Sequence, residues 1–248
     1  MDENLVKYGQ ENFSLPHDVI ALPTGGRFYK SKKKSVKVGY LTAADENLLM
    51  SNSPDIVTQL IRSKLYEPDL KSDELMQGDI EAILIFLRNT AFGPEYKVNI
   101  TDPESGNKFE TSIFLDELDI KRPEVEPDEN GHYHTVLPKS ETSVKLKPLS
   151  VKETREIDDM VKTYPAGRIA PRVTWMLQKQ IVEVANSKDQ GDINKFIQSM
   201  PISDSKFIRE FLDKNEPRLD LVKTVLTPSG KRVDVAINFG VEFFRVFF

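Results

Sequence analysis

His132 and His134 are the residues best spaced for metal chemistry, because two positions apart on a strand they share a face and could ligate one ion. Two ligands do not make a site. The chain has only one further histidine, His17, and no cysteine, and its acids show no ligand pattern, so neither a metal nor a cofactor is expected. Gly25-Gly26, after Pro23-Thr24, has the freedom of a phosphate loop but lacks a following Gly-Lys-Ser/Thr, and it reads as a turn. No Gly-x-Ser-x-Gly elbow is present. Asp158 and Asp159 are neighbours in a helical stretch and point apart, unlike the facing carboxylates of a glycosidase. The expectation is a protein that is not an enzyme. The competing reading is a carboxylate-dependent hydrolase hidden among 39 acids, which a facing acid pair in a concave pocket would support.

Lys30, Lys32, Lys33 and Lys34 form the one basic cluster, in a chain whose net charge is −5. Nucleic-acid binding by counterion release needs a cationic surface, so no nucleic-acid partner is expected and the run reads as a solvated hairpin loop. The C-terminus is unusual. Phe243, Phe244, Phe247 and Phe248 place four aromatic rings in the last six residues. Burying each would contribute roughly 1.5 to 3 kcal/mol, so they must dock somewhere. They either pack back on the second half of their own chain or insert into a neighbouring subunit as aromatic anchors, and they are the candidate partner-binding residues. Hydrophobic residues make up 39% of 248, enough for a sizeable core. No apolar run approaches the roughly 18 to 20 residues of a membrane span, and the polar, acidic N-terminus does not read as a leader. A soluble cytosolic protein is expected.

The elements that carry these residues come in two similar sets. Val19-Ile20-Ala21-Leu22-Pro23 and Ser35-Val36-Lys37-Val38 read as one hairpin; His134-Thr135-Val136-Leu137-Pro138 and Ser143-Val144-Lys145-Leu146 read as another. Each runs into a capped helix, Thr42 with Asp45 in the first case and Ser150 with Glu153 in the second. Apolar stripes follow, Ile56-Leu60-Ile61-Leu65 and Val173-Leu177-Ile181-Val184, both at helical spacing and the second after Pro171. Asp79 and Asp204 then open helices whose Ile, Phe and Leu residues fall at the same offsets, with Pro94 and Pro217 beyond them. Each set closes on a hairpin, around Asp102-Pro103-Glu104-Ser105-Gly106 and around Thr227-Pro228-Ser229-Gly230. The fold class expected is α+β, with two pseudo-repeated units of hairpin, helices and hairpin. The units are an N-terminal arm at 1–18, a first unit at 19–120, a linker at 121–131 and a second unit with the aromatic tail at 132–248.

The chain resembles the T4-like bacteriophage baseplate hub assembly proteins over nearly its whole length. The resemblance rests on Leu22-Pro23-Thr24-Gly25-Gly26-Arg27-Phe28-Tyr29, on Leu41 to Leu49, on Gly78-Asp79 and on Phe92-Gly93-Pro94-Glu95-Tyr96. It continues through Thr101-Asp102-Pro103 and closes with Phe239-Gly240-Val241-Glu242-Phe243-Phe244. Some relatives are similar at the first closing hairpin but carry cysteine pairs there. Asp102, Pro103 and Gly106 stand in their place here, which leaves no metal-bound version of that turn. The resemblance implies a non-enzymatic role in the tail of a contractile phage, in the virion baseplate and, during assembly, in the host cytoplasm. It implies other baseplate and tail proteins as partners, with oligomer formation left open. Two roles fit: a structural subunit of the hub, or a transient assembly factor that is absent from the mature virion.

Overall fold

The computed structural model describes residues 5–8, 11–51 and 55–244, and it is a mixed α+β arrangement of small antiparallel sheets and short helices. An N-terminal ribbon, β1 (Leu5–Tyr8) paired antiparallel with β2 (Glu11–Ser14), lies within the stretch read as an N-terminal arm. Then come the hairpin β3 (His17–Ala21) and β4 (Ser35–Gly39), and helices α1 (Ala43–Met50), α2 (Ile56–Lys64) and α3 (Gln77–Phe92). A long hairpin, β5 (Glu95–Thr101) with β6 (Lys108–Phe114), follows, and then the two-residue β7 (Ile120–Lys121).

The second half opens with β8 (Tyr133–Val136) and β9 (Ser143–Leu146), then α4 (Val151–Lys162) and α5 (Arg172–Gln180). It continues with β10 (Ile181–Val184), α6 (Gln190–Ser199) and α7 (Ile202–Asn215). Last are β11 (Arg218–Leu219), the hairpin β12 (Val222–Leu226) with β13 (Arg232–Ala236), and the short α8 (Val241–Phe244).

Local chemistry explains the boundaries. The Thr42 N–H donates to Asp45 Oδ2 at 2.6 Å, and the Ser150 N–H donates to Glu153 Oε2 at 3.0 Å, so both expected caps satisfy a backbone donor at a positive helix end. Helix α3 buries Ile80, Ile83, Leu84 and Leu87. It stops at Gly93, whose φ of +81° is the left-handed conformation that a side chain resists, and Pro94 follows.

One expectation is corrected. Ile181 and Val184 do not continue the helical stripe of Val173 and Leu177, because α5 ends at Gln180 and they lie in β10, which pairs antiparallel with β9. The run Ile-Val-Glu-Val is rich in β-branched residues, and a short apolar run fits strand and helix periods alike. Val173 itself is exposed. In the first half a single bridge joins Leu65 to Val38, backed by the Tyr66 N–H on the Lys37 carbonyl.

The described residues form two cores. One gathers α2, α3, β4 and the inner faces of β5 and β6; the other gathers β8, β9, β10 and α5 to α7. The C-terminal hairpin and tail pack with the first. Ile237, Phe243 and Phe244 are buried there, and Leu219, Leu221, Val225, Val235 and Phe239 line its margin.

Candidate functional site

The residues that bear chemistry are used mainly to fasten one segment of chain to another. Asp79, the third residue of α3 and fully buried, accepts from the Thr24 N–H at 3.0 Å, from Thr24 Oγ1 at 2.6 Å and from the Tyr29 hydroxyl. Tyr29 in turn accepts the Met76 N–H at 2.9 Å. This constellation clamps the turn after β3 onto the start of α3. Burial raises the Asp79 carboxyl above its ordinary range, against the hydrogen bonds from Thr24 and Tyr29 that lower it. Burial likewise raises the Tyr29 hydroxyl, with the Asp79 charge adding to the effect.

Asp204 is the third residue of α7, as Asp79 is of α3. It accepts the Lys139 N–H at 2.8 Å and the Ser140 N–H at 2.9 Å, fastening the turn between β8 and β9. Burial pushes its carboxyl up, but the donors at Ser140 and Lys139 outweigh that and hold it below the usual value.

A third carboxylate joins the halves. Asp102, in the turn between β5 and β6, accepts Ser229 Oγ at 2.8 Å and the Ser229 N–H at 3.3 Å from the turn between β12 and β13. The two closing hairpins, read separately in the sequence, thus meet turn to turn.

Phe243 and Phe244 of the aromatic tail lie in a socket of the first core, not in the second. Phe243 stacks on Phe239, Phe244 and Tyr96 at centroid distances of 4.8, 5.1 and 5.5 Å. Beneath it, the buried Arg88 lies over the Tyr96 and Phe243 rings and donates to the Gly93 carbonyl at 2.7 Å and the Glu95 carbonyl at 3.1 Å. Phe247 and Phe248 lie outside the described residues.

The remaining candidates are placed as follows. His134 Nε2 is 3.0 Å from Asp128 Oδ2, while the His132 backbone N–H donates to Asp128 Oδ1. Partial burial would raise Asp128, but these bonds and the Asn130 N–H pull it down to about 2. Among the described residues no group of three or more His, Cys, Asp or Glu is placed to hold a metal. Gly25 and Gly26 both have positive φ and form the clamped turn. Lys33 pairs with Glu67 and Asp69, and Lys32 Nζ donates to the Arg27 and Glu129 carbonyls, which ties the segment 121–131 to the first hairpin. Asp158 is bonded to Arg172 and Asp159 to Lys162. They edge an open cleft of about 610 Å³ between α2 and α4. A second open cleft, of about 400 Å³, lies between Phe28, Met76 and His132 on one side and Lys147, Glu153 and Lys179 on the other.

Where α3 meets the chain leaving α7, the contact is close and acidic. A Cβ on Gly78 would collide with the Pro217 carbonyl and Arg218. Beside it, Glu81 Oε2 and Glu216 Oε1 are buried with no hydrogen-bond partner among the described residues. Burial is the main cause that pushes Glu216 up to about 7; Arg218 opposes the rise, while Glu81, Asp213 and Asp79 add to it. Glu81 is raised by burial too, against Gln77 and Arg218.

Sequence reasoning found both helix-opening aspartates but not what they bind; the available signal was that each follows a Leu-Pro turn in the same order of elements. It missed Arg88 and Glu216 altogether. A family model described as T4 bacteriophage base plate protein matches residues 26–245. No curated protein and no solved structure matches significantly.

Proposed function

This chain belongs to the T4 bacteriophage base plate protein family, and we propose that it acts without catalysis as a structural component of the baseplate hub, joining other tail proteins by direct contact. A structural role in the phage tail baseplate follows from the family. The observation that carries the rest is the use made of the buried acids. Asp79, Asp102 and Asp204 accept hydrogen bonds from this chain's own donors, so their chemistry holds a scaffold in shape. Glu81 and Glu216, the acids with raised pKa, sit in the seam between α3 and the end of α7, and neither lines the two clefts described above.

We read the scaffold as two related units, 19–120 and 132–248, joined by 121–131. Support comes from the paired capping boxes and from the aspartate clamps at equal helix positions. Partner contact is assigned to the aromatic C-terminus. Phe243 and Phe244 root it in the first core, and Phe247 and Phe248 are the residues we assign to contact with a neighbouring tail protein.

Mass spectrometry of purified virions tests the role directly. A fixed ratio to other baseplate proteins supports a hub component. Presence in assembling tails and absence from finished particles would support a transient assembly factor instead. Deleting residues 245–248 should lower incorporation into the hub while leaving the first core folded, and an unchanged yield of assembled hubs would overturn the assignment of the tail.

A further inference from the structure

The seam between the two cores holds more acid than it can ionise. From α3, the buried Glu81 and Asp79 face it; from α7 and the residue that ends it, Asp213 and Glu216; from β8, the Tyr133 hydroxyl, which donates to the Asn215 carbonyl at 2.6 Å. The one cation among these groups, Arg218, gives its guanidinium to Asp213 at 2.9 Å. Glu216 Oε1 and Glu81 Oε2 are each shielded from water, with no donor among the described residues. An ionised carboxylate left so is costly, and two like charges in one dry contact are costlier still. The backbone has no slack here, because Gly78 lies directly against Pro217 and Arg218, and β11 pairs onward with β7 from the other half.

We propose that this seam is a proton-gated hinge: with Glu216 protonated the two cores stay locked across Gly78 and Pro217, and loss of that proton beside Glu81 loosens them. The lock then acts near neutral pH, since Glu216 sits at about 7 while the unfolded chain titrates at the ordinary glutamate value. The sign follows. Between those two values the folded state binds more protons than the unfolded state, so stability falls as pH rises through the window and levels off above it. Loosening would change the angle at which the aromatic tail and the β12–β13 hairpin, both seated on the first core, stand relative to α6 and α7.

The test uses the full chain. Side-chain carboxyl chemical shifts report the Glu216 titration, and limited proteolysis within 121–131 reports the seam. Wild type should show a Glu216 midpoint near neutrality and cleavage that rises about threefold or more relative to Glu216→Gln between about pH 6 and 8. Glu216→Gln should be cleaved at a rate free of that step, and Glu81→Gln should move the Glu216 midpoint down. Comparing variants at each pH cancels the protease's own dependence. A Glu216 midpoint in the ordinary glutamate range would overturn the proposal, as would identical cleavage profiles for wild type and Glu216→Gln. Should Glu216→Gln fail to fold, the Glu81→Gln shift decides alone, and an unmoved midpoint counts against the hinge.

Discussion

Asp79 in the first half and Asp204 in the second stand third in their helices and fasten the turn of the hairpin that opens their half. They do it by different means. Asp79 is held by two side-chain hydroxyls as well as a backbone N–H, deep enough that burial raises its carboxyl. Asp204 takes its backbone bonds from Lys139 and Ser140 and stays below the ordinary value. A clamp on hydroxyls needs particular residues at its far end, whereas a clamp on backbone needs only the turn. The first half is therefore the more sequence-dependent, and it is also the half that takes in the chain's last elements.

The largest effect that would sharpen this contrast is at the tail. Phe243 is fully buried against three rings and Arg88, so Phe243→Ala should cost the first core about 3 to 5 kcal/mol by creating a cavity. Hydrogen exchange should show the loss in α3 and β5 with the second core protected as before. Equal loss in α7 would break the contrast, since the two cores would then unfold as one.

Next comes the pair of clamps. Asp79→Ala leaves Thr24 and Tyr29 with buried, unpaired donors and should cost about 3 kcal/mol in urea unfolding, against about 1 to 2 kcal/mol for Asp204→Ala. At the far ends, Tyr29→Phe should cost about 1 to 2 kcal/mol and Ser140→Ala less than about 0.5 kcal/mol. A Ser140→Ala penalty as large as that of Tyr29→Phe would show that the second clamp depends on side chains after all.

How much of this was legible beforehand follows the same division. Hairpins, caps and helix-opening acids are local signals, and Thr42 with Asp45, Ser150 with Glu153 and the Leu-Pro turns stood in the sequence as they stand in the fold. Long-range choices were not legible. Nothing local tells Phe243 to seek Tyr96 rather than the second core, and nothing tells Asp102 to meet Ser229, 127 positions away. Ile181 was misplaced because its stripe fits two periods. Glu216 follows α7 as an unremarkable glutamate until Gly78 closes over the neighbouring Pro217.

The two closing hairpins should behave alike, in contrast to the clamps. Gly106 and Gly230 have φ of +72° and +81°, and a Cβ on either would meet nothing within 4 Å. Strain alone is then at issue, and Gly106→Val and Gly230→Val should each cost about 1 to 2 kcal/mol in thermal unfolding. A difference between them larger than that cost would mean that one turn is under further constraint.

The smallest effect separates the halves by sign. Asp204 has its carboxyl lowered on folding, so its contribution is present above the ordinary aspartate value and is lost as pH falls through the lowered one. Asp79 has its carboxyl raised, so the folded state holds a proton that the unfolded state has released, and stability is lost as pH rises from the ordinary value through the raised one. Acidification through the aspartate range should therefore weaken the second core while it favours the first clamp. Difference titrations of stability, wild type minus Asp79→Asn and wild type minus Asp204→Asn, isolate each carboxyl from the other acids. The two curves should slope in opposite directions. Curves of the same slope would mean that the hydroxyl clamp and the backbone clamp are electrostatically alike, and the sequence dependence of the first half would then rest on packing alone.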